Sequence, residues 1–221
     1  MASEFPGRPA FLKGALVVFE TPAPTPTNLI LFQYNPETMT RSFQTQYEEK
    51  ADWWDRASDT GRVLPPTESF QLTIELDAAD QLERANPVAM TDGLHPTLAA
   101  LELLLYPNST LLFAADLLAD SGSAIVTPAE TPVVLFVWGA ARVVPVRVGS
   151  ISVTELAFDQ LLNPIQARVD LNLRSLTNAE LGRAKAPFDT LAKVQIVAKE
   201  ILARKNVNVA GAKDVRDLLP F

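Results

Sequence analysis

The clearest alternation of apolar and polar positions lies near the end of the chain, where Ile165, Ala167, Val169, Leu171 and Leu173 take turns with Gln166, Arg168, Asp170, Asn172 and Arg174. Successive side chains of a strand point to opposite faces, so this pattern predicts a strand with one covered face and one polar face. It closes a longer stretch of the same kind. Residues 133–138, VVLFVW, form an unbroken apolar run that stops at Gly139, which predicts a strand buried on both faces and ended by a turn. Val144, Val146 and Val148 then alternate with Pro145 and Arg147, with the valines toward the core and Arg147 away from it. Gly149 and Ser150 slip the register by one before Ile151 and Val153 take it up again, which predicts a glycine bulge in a long strand. The turn into the last strand is Asn163-Pro164.

The N-terminal half predicts strands over residues 12–19, 28–34 and 41–47, the second ending at Asn35-Pro36 and the third placing Phe43, Thr45 and Tyr47 on one face. Between the first two, TPAPTPT is too extended for a helix and lacks the partners for a sheet. Asn-Pro follows an aromatic strand at 35 and again at 163; two ordinary turns and an old internal duplication both account for this. Residues 69–77 predict another strand, with Phe70, Leu72, Ile74 and Leu76 inward. Before it, residues 48–68 have no period, end in a double proline and read as a long loop with a task of its own. That loop holds Trp53 and Trp54 among charges. Two adjacent tryptophans on an extended segment cannot enter one core together, so the loop is either an interface anchor or a plug over its own core.

Helical spacing occurs twice. His95-Pro96 starts a central helix with the stripe Leu98, Leu101, Leu104 and Leu105, ended by Tyr106-Pro107. A second helix is predicted over residues 187–204, with Phe188, Leu191, Val194, Ala198, Ile201 and Leu202 on one face and Lys193, Glu200 and Arg204 opposite. It either caps its own barrel or docks onto a neighbour. Residues 107–132 between the helices show little pattern. The fold class is therefore mainly β (α+β), with long strands, one central helix and a C-terminal helical tail. The expected division is a β domain over residues 1–182 and a basic helical extension over residues 183–221.

Charge and chemistry narrow the function classes. The formal net charge of −7 argues against a general nucleic-acid binder. It is unevenly spread: residues 183–221 hold eight Lys/Arg against four acids, whereas residues 1–182 hold eleven against twenty-two. There is no cysteine, which removes disulfides, thiolate catalysis and Cys-based zinc sites. His95 is the only histidine, without the HExxH spacing of a metal site, and reads as a helix-start residue. No GxSxG elbow, P-loop or GxGxxG follows any strand. Acidic pairs such as Asp77/Asp80 and Asp116/Asp120 read as solvated carboxylates. The expectation is a non-enzyme without cofactor or metal. The N-terminus lacks the basic start and apolar run of a secretory signal, and no segment reaches the span of a membrane helix, so a cytoplasmic protein with no membrane partner is expected.

Several segments, taken in order, carry a family resemblance: FQYNPETMTR at 32–41, LDAAD at 76–80, PTLAALELL at 96–104, VLFVWG at 134–139, and ELAFD at 155–159 with LNPIQA at 162–167. Together they resemble the tube-initiator protein of extracellular contractile injection systems, phage-tail-like particles of the antifeeding-prophage and Photorhabdus virulence-cassette type. The resemblance covers about residues 11–177. It implies a tail-tube-like β-barrel or sandwich and a structural part. That part is a homohexameric ring joining a VgrG-like spike hub to the inner tube, in contact with other baseplate proteins and assembled in the cytoplasm into particles released by lysis. Family members commonly carry a C-terminal LysM module, which the last residues are too few to form, so peptidoglycan binding is not carried over.

Long strands with bulges and unpaired edges suit such a ring, because edges that threaten aggregation in a monomer become the joints between protomers. The competing class is a monomeric ligand-binding β-barrel. The residues expected at subunit interfaces are Trp53, Trp54, Arg147, Asn35, Pro36, Asn163 and Pro164.

Overall fold

The structure, a computed structural model, describes residues 12–19, 25–47, 63–107, 109, 113, 131–139, 141–181 and 188–205. Seven strands in this set form one antiparallel sheet: β1 (Ala15–Phe19), β2 (Pro26–Leu31), β3 (Met39–Tyr47), β4 (Val63–Asp77), β5 (Val133–Val137), β6 (Val143–Phe158) and β7 (Pro164–Ser175). Their order is β2-β1-β5-β6-β7-β4-β3, which leaves β2 and β3 as the edges. The helices are α1 (Ala79–Glu83), α2 (Pro87–Asp92), α3 (His95–Glu102), α4 (Asn178–Leu181) and α5 (Phe188–Lys205).

The alternations place the main core on one face of this sheet. Phe70, Leu72, Ile74 and Leu76 of β4 join Ala167, Val169, Leu171 and Leu173 of β7, Val144, Val146 and Val148 of β6, and Val134 and Phe136 of β5. Leu98 and Leu101 of α3, with Leu104 just beyond it, close that layer. Each such Val, Leu, Ile or Phe side chain, fully buried, contributes about 1.5–3 kcal/mol. Phe70 and Phe136 pack with centroids 5.1 Å apart, and Phe136 meets Trp138 at 5.9 Å. A Cβ on Gly14 would stand 2.6 Å from the Phe32 ring and 2.9 Å from Trp138, so this close approach requires glycine.

A smaller core lies on the other face, where Val133 and Leu135 meet Leu176, Leu181 and Phe188. β5 is thus buried on both faces, as its unbroken apolar run predicts. The bulge also falls where the glycine marks it, as the pairing of β6 with β7 shifts between Val148 and Ser150.

Other expectations are corrected. The strand placed at 69–77 begins at Val63, inside the predicted 48–68 loop, and takes in Pro65 and Pro66. Prolines fit there because β7 joins β4 only from Ser69, so the first residues of β4 have β3 alone beside them. Pro26 and Thr27, assigned to a loop without sheet partners, open β2, with Pro26 opposite Phe19. Pro145 is buried rather than turned to a bare face, since α5 lies over that end of β6. Two short helices follow β4 where none was expected; α2 is capped by the Asn86 side chain, which accepts from Val88 N at 3.0 Å.

The phase of the last helix also differs. Phe188 is buried and Leu191 half-buried, but Val194, Ile201 and Leu202 are all more than half exposed. At 100° per residue Val194 and Ile201 fall on the far side from Phe188. The residues toward the sheet are Ala192, Gln195 and Lys199.

Candidate functional site

Four long strands, β3, β4, β7 and β6, carry most of their polar residues on the face away from the main core. Register stacks them in rungs across the sheet. Ser42, Ser69, Arg174 and Arg147 form one, Thr40, Gln71, Asn172 and Ser150 the next, then Thr73, Asp170 and Ser152, then Glu75, Arg168 and Thr154. Thr73 Oγ1 donates to Asp170 Oδ1 at 2.5 Å, and Arg168 reaches Glu75 at 3.2 Å. A shallow trough of about 440 Å³ runs over this face, lined by hydroxyls, amides and the Asp170 carboxylate.

Arg147 sits on this face, exposed, directly opposite Arg174. Arg174 is neutralised by Glu180 of α4 at 2.5 Å, and the Glu180 carboxylate also accepts from Thr177 N. Burial pushes the Glu180 pKa up, but the bonds from Arg174 and Thr177 outweigh it and hold it below the ordinary value. Arg147 has no ion pair among the described residues.

Both Asn-Pro pairs act as struts inside the protomer. Asn35 Oδ1 accepts from Gly14 N at 2.8 Å and its Nδ2 donates to Leu12 O at 2.9 Å. Gln33 does the same for the end of β4, accepting from Asp77 N at 2.9 Å and donating to Asp77 O at 2.8 Å. Each side-chain amide thus replaces a strand neighbour where backbone pairing stops. Pro36, beside Asn35, is half-buried.

At the other site, Asp159 closes the β6–β7 turn by accepting from Leu161 N, Asn163 N and Asn163 Nδ2. The bond from the Asn163 side chain is the main cause of the lowered Asp159 pKa. Asn163 Nδ2 also donates to Thr91 O at 3.0 Å, and the carbonyl of the buried Pro164 accepts from Leu94 N at 2.8 Å, tying the hairpin to α2 and α3. Trp53 and Trp54 lie outside the described residues.

One constellation had no signal in the sequence. Glu68, assigned to a loop, has a side chain only 5% exposed and is held by Arg41 of β3 and Lys199 of α5. Arg41 Nε donates to Glu68 Oε1 at 2.7 Å, and its second nitrogen reaches the same oxygen. Both cations also lie over the Phe43 ring, at 5.2 Å and 5.3 Å from its centroid. Arg142 stands near enough that burial and then repulsion from Arg41 lower its pKa, against attraction from Glu68. This cluster links α5 to the edge of the sheet.

Among the described residues no group of three or more His, Cys, Asp or Glu could hold a metal ion, and no helix is long and apolar enough to cross a membrane. No known family model matches the chain, and no curated protein matches it.

Proposed function

We propose that this protein is a structural ring component of a phage-tail-like contractile injection particle, a homohexamer that links a VgrG-like spike hub to the inner tube and starts tube assembly. The observation that carries this reading is the pair of edge strands, β2 and β3, at opposite ends of one seven-stranded antiparallel sheet, with no further strand beside either among the described residues. The edge strand β3 is nine residues long and, apart from Arg41, uncharged, so it lacks most of the devices that keep a monomer's edge from pairing. A head-to-tail joint between β3 of one protomer and β2 of the next is heterologous and closes into a ring when its rotation allows. In that ring the sheet completes a tail-tube-like barrel or sandwich, and the polar rungs of β3, β4, β7 and β6 face the lumen or an adjoining part.

The order of the FQYNP, LDAAD, VLFVWG and LNPIQA segments supports the same reading. The role is architectural and not catalytic, and assembly takes place in the cytoplasm. Negative-stain imaging of the purified chain, alone and with spike and tube proteins, tests it. Sixfold rings are expected; a monomer that joins neither partner argues for the ligand-binding β-barrel class instead.

A further inference from the structure

α5 is held to the sheet at two points. Its N-terminal end is anchored where the Phe188 ring meets Phe19 edge-on at 4.9 Å, and further along Lys199 Nζ is fixed to Glu68 at 2.6 Å. Between these anchors Leu191 and Ala192 pack on the smaller core, and one turn further on Gln195 and Ile196 line a space that the helix does not fill. A cleft of about 480 Å³ remains between the helix and the strand ends beneath it. Its floor is Pro65, Pro66, Val144, Pro145 and Leu176. The three prolines have fixed φ, which keeps this wall from collapsing, and no N–H to offer a ligand. The size, the apolar walls and the few polar groups are those of a small-molecule site.

The polar end of the cleft sets the chemistry of the head group. Glu68, its carboxylate, is already taken by Arg41 and Lys199. What remains is donor capacity: two further N–H groups on the Lys199 ammonium, the Gln195 amide, and the Ser175 hydroxyl, whose oxygen accepts from Glu68 N at 2.8 Å while its hydrogen stays available. Arg41 and Arg142 beside Glu68 add positive charge. Spare donors in a cationic setting select an anion, and prolines and aliphatic side chains select a hydrocarbon body.

We propose that this cleft binds a small aliphatic monocarboxylate, with the carboxylate on Lys199, Gln195 and Ser175 and the chain along the prolines. The proposal does not depend on ring assembly. It is tested by calorimetric titration of the full chain with decanoate, decanol and decylammonium, each below its self-association concentration. Decanoate is expected to bind saturably at one site, at least about tenfold more tightly than either control, as loss of a charge-assisted bond implies. Ala192→Phe, which fills the cleft, should abolish binding with the melting temperature kept or raised. Lys199→Gln should bring decanoate down to the level of decanol with an unchanged circular dichroism spectrum. Equal binding of decanoate and decanol, absence of saturable decanoate binding, or full binding by a folded Ala192→Phe or Ala192→Leu protein would each overturn it.

Discussion

Lys199 Nζ in α5 lies 2.6 Å from Glu68 Oε2 in β4, a residue 131 positions earlier in the chain. The same carboxylate takes Arg41 of β3, so a single buried side chain fastens the C-terminal helix and an edge strand to the sheet. Glu68→Gln is expected to destabilise the protein by about 1–3 kcal/mol, because the amide pairs poorly with two cations. Half-exposed Lys199 regains water when its partner is lost, so Lys199→Gln should cost less, about 0.5–1 kcal/mol. Urea denaturation of both variants gives the comparison, and equal costs would mean that Glu68 is held chiefly through Lys199.

Gly93 ends α2 at φ +57, and a Cβ there would stand 2.5 Å from the Pro164 carbonyl oxygen. Gly93→Ala combines a strained backbone with a clash against backbone and is expected to cost about 2–3 kcal/mol. Gly139 has φ +75 with open space around it, so Gly139→Ala should cost only about 1 kcal/mol. Thermal melts of the two variants check the order.

The Asp159 carboxylate binds three N–H groups of its own turn, and its folded-state pKa is lowered, chiefly by the Asn163 side chain. A depressed pKa means stability present above the unfolded value, about 3.9, and lost as pH falls through the folded one. Asn163→Ala should therefore flatten the loss of stability on the acid side as well as free α2 from the hairpin. Denaturation midpoints between neutral pH and pH ~3 show it, and an acid slope identical to the parent's would remove Asp159 from the account of that turn.

Arg147 and Arg174 face each other across β6 and β7, and only Arg174 has a carboxylate partner among the described residues. Arg147→Glu replaces a like-charge cross-strand pair with an opposite one, so stability should stay level or rise by about 0.2–1 kcal/mol. If the polar face is a contact in the particle, the same substitution impairs assembly. Melting temperature and particle yield from one preparation separate the two effects; normal particles would mean that this face meets only water.

Much of the sheet was legible because period-two alternation is a local signal. The clean run at 165–173, the apolar block at 133–138 and the slip at Gly149 became β7, β5 and the β6 bulge where the pattern put them. What escaped was set by contacts between distant segments. Pro65 and Pro66 read as loop because the sequence does not show that β4 has a single neighbour there. Glu68 looked like one carboxylate among many until Arg41 and Lys199 were brought to it from far along the chain. The last helix has apolar residues on two sides, so composition could not tell that Phe188 faces in while Val194 and Ile201 face out. The Asn-Pro pairs were noticed as turns, but the work of Asn35 as a side-chain stand-in for a strand partner needed Gly14 and Leu12 in place, and that of Asn163 as a tie to α2 needed Thr91.

Native mass spectrometry of the full chain, alone and mixed with spike-hub and tube proteins, bears most directly on the proposed ring. A six-subunit species that takes up both partners is expected, and weakening edge pairing with a proline at Phe43 in β3, opposite Glu68 and with its N–H turned away from β4, should return it to folded monomers. A protein that stays monomeric at high concentration and binds neither partner would contradict the ring.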